Sequence, residues 1–149
     1  MFKNIKNFFD TAKINEDENQ EYLDEDIFAV LSLLIEASKI DGIVSNDEID
    51  LIKKILITKF HLNPQKAEKS IDFVLHKSDE KIEIYSDIKV ILDSMDHDER
   101  ISVIEMLWEI ILSDGKVDEY EANLIWRICG LLHVSGTESS MAKKRALGN

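Results

Sequence analysis

Residues 26–55 recur 73 positions later with no gap. At that offset Val30 meets Val103, Leu34 meets Leu107 and Glu36 meets Glu109. Asp41 and Gly42 meet Asp114 and Gly115, Val44 meets Val117, and Glu48 meets Glu121. Leu51, Ile52 and Ile55 then meet Leu124, Ile125 and Ile128. Ten identities in thirty positions describe one unit used twice. The outer identities keep helical spacing, and the inner ones surround an Asp-Gly pair. The unit therefore reads as a long helix, a D-G-x-V loop and a capped helix.

The rest of the chain agrees with helices. Five glycines and one proline in 149 residues are too few for a sheet protein of this length. In residues 27–40, Ile27, Val30, Leu31, Leu33, Leu34 and Ala37 lie nearly all round a helix, which places it centrally. Ser45 with Glu48 makes a capping box ahead of a helix to about residue 60. Asn63-Pro64 opens another, carrying Ala67, Ile71, Val74 and Leu75. A further helix covers 82–94. Asp96 with Glu99 caps a long helix to about 113, and Asp118 with Glu121 caps one to about 132. Residues 137–147 read as a short last helix. The expected fold is all-α, a compact bundle of about seven helices built on the duplicated helix–loop–helix.

Three segments are expected: an amphipathic helix in 1–15, an acidic connector in 16–25, and the helical domain in 26–149. Phe2, Ile5, Phe8, Phe9 and Ala12 form the apolar stripe of the first, for docking on the domain itself or on a partner or membrane surface. The connector holds acids and no base, so self-repulsion extends it. Eighteen basic against thirty acidic residues give a charge of −12, which argues against coating nucleic acid or anionic lipid. A single cysteine, Cys129, allows no internal disulfide and no cysteine-based zinc cluster. No run is apolar enough to span a membrane, and the first residues lack a secretory pattern, so the expected compartment is the cytoplasm.

The doubled loop has a structural reading. Glycine closes a helix end in the left-handed conformation, the valine plugs the loop into the core, and the glutamate reaches back to the N-cap amide. The aspartates fit this less well. Asp41 and Asp114 sit where the helix dipole is negative, which costs about 0.3–1 kcal/mol. A compensating cation is the alternative, with Asp41 and Glu48 in one copy and Asp114 and Glu121 in the other as hard oxygen ligands for calcium, magnesium or manganese. The spacing is not that of an EF-hand, since glycine falls at loop position 2 and the twelfth position is Ile52 or Ile125. His61, His76, His97 and His133 are too scattered for zinc.

The runs IEASKIDGIVSNDEIDLIKKIL (35–56) and LWEIILSDGKVDEYEANLIWRICGLLHVS (107–135) resemble the TerB family of tellurite-resistance proteins, in particular its stand-alone bacterial members. The resemblance covers about residues 27–135. It implies a compact helical bundle without enzymatic activity. It also implies divalent metal at Asp41, Glu48, Asp114 and Glu121, a link to stress responses, and a protein partner in a membrane-associated complex. Ile40 and Ser113 stand where the family often has alanine. No His-Pro-Asp tripeptide occurs, so a co-chaperone role is not implied.

Other residues read as structural. Cys129 should be a buried thiol. Trp108 and Trp126 should pack in the core or at an interface. Glu36 and Glu109 should be solvated or paired with Lys54 and Arg127. Lys143, Lys144 and Arg145 should be solvated or meet the acidic surface. No Ser-His-Asp, Cys-His or glycine-rich phosphate motif occurs. The expectation is a non-enzymatic binding module, with or without a cation in its loops.

Overall fold

Two helices, α1 (Glu25–Ser38) and α5 (His97–Ile111), are apolar on nearly every side and form the centre of the molecule. The computed structural model describes residues 24–39, 44–77, 84–115 and 117–148, with Asp114 described through its backbone. The N-terminal stripe and most of the acidic connector lie outside these residues, as do Asp41 and Gly42.

Around the two centres run α2 (Asn46–Lys59), α3 (Pro64–Lys77), α4 (Ile84–Ser94), α6 (Glu119–Leu131) and α7 (Gly136–Ala146). A 3-10 turn, Leu112–Asp114, extends α5. The described residues thus form seven α-helices and no strand, an all-α fold as expected. The helix limits keep the 73-residue offset: α2 begins at Asn46 and α6 at Glu119, and α1 and the α-helical part of α5 end at Ser38 and Ile111.

The buried faces repeat as well. Val30 and Val103, Leu34 and Leu107, Ile52 and Ile125, and Ile55 and Ile128 all belong to one core. Capping boxes open α2, α5, α6 and α7, each with a Ser or Asp at the N-cap and a Glu three residues on.

The duplication also reaches further than its identities. His61 and His133, 72 residues apart, are the two non-glycine residues with positive φ among those described, at 58° and 59°. Each ends the second helix of its copy in a left-handed turn. The Leu62 and Val134 amides then fold back to the carbonyls of Leu56 and Cys129. Asn63 and Ser135 follow as caps of α3 and α7. Each copy therefore has three helices, and α4 belongs to neither. It packs along α1 much as α7 packs along α5, while α3 lies mainly on α2.

Candidate functional site

The second loop is built from its backbone outward. After α5, the 3-10 turn ends at Gly115, whose φ of 79° is the left-handed conformation expected of it. The Gly115 amide donates to the Leu112 carbonyl at 3.0 Å. Val117 is partly buried against the core, and Val44 takes the same place in the first copy. These are the plugs that the spacing predicts.

The two glutamates are both engaged. The Asp118 amide donates to Glu121 Oε1 at 3.2 Å, and the Glu121 amide donates to Asp118 Oδ1 at 2.8 Å. In the first copy the Ser45 hydroxyl donates to Glu48 Oε1 at 2.8 Å, and the Glu48 amide donates to Ser45 Oγ at 3.2 Å. Glu121 is buried and Glu48 half-buried. Asp41 lies outside the described residues, and Asp114 is placed through its backbone at the end of the 3-10 turn. Among the described residues no three His, Cys, Asp or Glu side chains gather as a metal ion would need. The described donors by themselves do not make a cation site.

A different polar cluster ties the molecule together. Glu105, on the buried helix α5, receives Arg145 Nε of α7 at 2.5 Å and lies 3.8 Å from Lys59 Nζ of α2. Lys59 also donates to Glu109 Oε1 at 2.9 Å. Glu109 thus pairs with Lys59 rather than with Arg127, and Glu36 pairs with Lys39 at 4.0 Å rather than with Lys54. The sequence signal for this cluster was Glu105 itself, a carboxylate inside an otherwise apolar run.

Near the other end of α5, His97 Nε2 and Glu138 Oε2 are 2.7 Å apart. The Ser135 amide, with His97 beside it, lowers the Glu138 carboxyl to about 2. Trp108 is buried, donates to Ser139 Oγ at 3.1 Å and carries Lys143 Nζ 5.0 Å above its ring. Cys129 is buried, and burial raises its thiol above the usual range. Trp126 departs from expectation. Its side chain is 66% exposed on α6, beside Gly136, and does not fill the core.

Between α2 and α7, over the end of α5, runs an open groove of about 600 Å³. Leu51, Ile55, Leu112 and Leu147 supply its apolar surface, and Lys54 and Lys59 line it from α2.

The fold resembles a solved crystal structure, that of a protein of unknown function from Porphyromonas gingivalis W83. The match has a TM-score of 0.59 and 22% identity, over 83% of this chain and 90% of that one. Among curated proteins, none matches. The family model described as tellurite resistance protein TerB matches residues 28–144, which span both copies and all seven described helices in whole or in large part. The chain belongs to the TerB family.

Proposed function

We propose that this chain is a non-enzymatic binding module that works through its surface, with its two D-G loops serving as helix corners. One observation carries the reading: Glu48 and Glu121, the acids expected to hold a cation, each give an oxygen to the N-cap of the helix they begin. Capping accounts for their recurrence by the ordinary requirements of a helix start. The buried, raised thiol of Cys129 favours packing over nucleophilic chemistry. The family description names tellurite resistance, which supports a role in a stress response, and the protein partner is part of the proposal. No helix of the described residues is long and apolar enough to cross a membrane, which suits a cytoplasmic place.

Thermal melting with calcium, magnesium or manganese tests this reading. Corners alone predict no shift with any of the three. Asp114→Asn should be neutral or stabilising by about 0.3–1 kcal/mol, because it removes an acid from a helix end. A bound cation predicts the opposite. At 100 times its Kd it adds ~2.7 kcal/mol, and Asp114→Ala abolishes the gain. The second reading, with calcium, magnesium or manganese at Asp41, Glu48, Asp114 and Glu121, draws its support from the Asp-Gly pair present in both copies.

A further inference from the structure

The two copies cover their second helices differently. In the first, α3 lies mainly on α2, and Lys53 of α2 reaches Glu68 of α3 at 3.7 Å. In the second, α7 packs mainly along α5 and touches α6 much less. The 73-residue offset sets Lys53 against Trp126 and Ile57 against Gly130. Lys53 and Ile57 are partly buried, whereas Trp126 and Gly130 are exposed, Trp126 at 66%. Among the described residues, this face of α6 therefore lacks the helix that its counterpart on α2 has.

The face is shaped to take one. Ala122, Trp126 and Gly130 stand at i, i+4 and i+8, in one line along α6. Alanine and glycine on either side of the ring let a second helix come close, and the space over Gly130 is open. The Trp126 ring leans on Gly136, the first residue of α7, where a Cβ would sit 3.6 Å from it.

The chain itself offers an occupant. Residues 1–15 carry the apolar stripe Phe2, Ile5, Phe8, Phe9 and Ala12, flanked by Lys3, Lys6 and Lys13. The described chain begins at Asp24, so residues 16–23 join this segment to α1. Fully extended, they span up to about 26 Å. Burial raises the Glu99 carboxyl of α5, and the charges of Asp96 and then Asp26 add to it, so the starts of α1 and α5 lie together. Arg100 of α5 in turn donates to the Leu132 carbonyl at the end of α6, at 3.0 Å. Trp126 stands six residues back along α6, about 9 Å. The segment is therefore within reach of the face. The first turns of α1 and α5 carry Glu25, Asp26, Asp98 and Glu99, which complement the three lysines. A tether this short gives an effective concentration in roughly the mM range, far above that of a second copy in solution.

We infer that residues 2–12 dock as a helix on α6, with their apolar stripe over Trp126, in the place that α3 takes on α2. A partner that takes either the stripe or the Trp126 face must first part them. The inference goes beyond the binding-module reading and needs no cation in the loops.

The test uses the full chain and its own two tryptophans. Trp108 is buried and gives a constant background, so acrylamide quenching and emission wavelength report on Trp126. Trp126 should be shielded in the full chain. Ile5→Asp with Phe8→Asp should open it, with stronger quenching and emission shifted to the red. With Trp126→Phe in place, the same pair should change neither. A cooperative urea transition confirms that each variant keeps its domain. A photoreactive residue at position 8 should join, within one chain, to the segment that holds Trp126. Equal quenching with and without the two aspartates, or joining to another part of the chain, overturns the inference. Joining between chains overturns it too, by giving the face to a second copy.

Discussion

His61 and His133 occupy equivalent corners of the two copies, with φ of 58° and 59°, although little else around them is identical. A side chain in that conformation costs about 1–2 kcal/mol, which glycine avoids. Both histidines should therefore respond alike to substitution. His61→Gly and His133→Gly should each be neutral to stabilising by up to about 1 kcal/mol, since glycine's extra freedom when unfolded offsets part of the relief. His133→Val should cost about 1–2 kcal/mol. Urea denaturation with an unchanged slope checks all three.

Gly115 gives the converse case. Nothing lies within 4 Å of where a Cβ would stand, so space is not the obstacle. Its φ of 79° is. Gly115→Ala should destabilise by about 1 kcal/mol through the backbone alone, and Gly115→Asn by less. Equal stability of all three would show that the loop relaxes into another turn.

Glu105 is a carboxylate in the core, held by Arg145 and Lys59. Glu105→Ala leaves two cations facing a buried space. Full burial would make the loss about 3–5 kcal/mol, and the partial exposure of both partners reduces it to roughly 2–3. Glu105→Met combined with Arg145→Met should recover most of the loss, because an apolar pair needs no compensation. A double-mutant cycle in urea measures the coupling.

Acid stability should report on Glu138. Its carboxyl lies at about 2 when folded, below the ordinary value of 4.5. A lowered carboxyl contributes stability above its unfolded value and loses that contribution as pH falls toward the folded one. The stability that the chain holds over Glu138→Gln should be lost progressively as pH falls from about 5 toward 2. Denaturation at a series of pH values would show it, and a difference that grows on acidification would contradict the sign.

Much of this architecture can be read before any coordinates. The 73-residue offset, the N-caps Ser45, Asp96 and Asp118, and the left-handed Gly115 follow from local rules that need only neighbouring residues. Helix ends move by one or two residues, as fraying ends do. The third helix of each copy was legible as a helix but not as part of the repeat, because its residues share almost no identities even at the 72-residue offset of the corner before it. Trp126 misled because its position on α6 depends on which faces α7 leaves uncovered, a tertiary fact. At the loops, the capping of Glu48 and Glu121 was legible from spacing. The polar tie among Glu105, Lys59 and Arg145 joins residues 40 and 46 positions apart, and periodicity carries no information at that range.

The all-round burial of α1 and α5 has a consequence for the history of the chain. Either three-helix unit alone would leave bare the side of its central helix that the other unit now covers, and pairing with a twin would cover it. A single-copy ancestor would then have been an obligate dimer, folded only above some threshold of abundance. Joining the two units end to end removes that threshold, and the segment that joins them supplies α4, which covers the flank of α1.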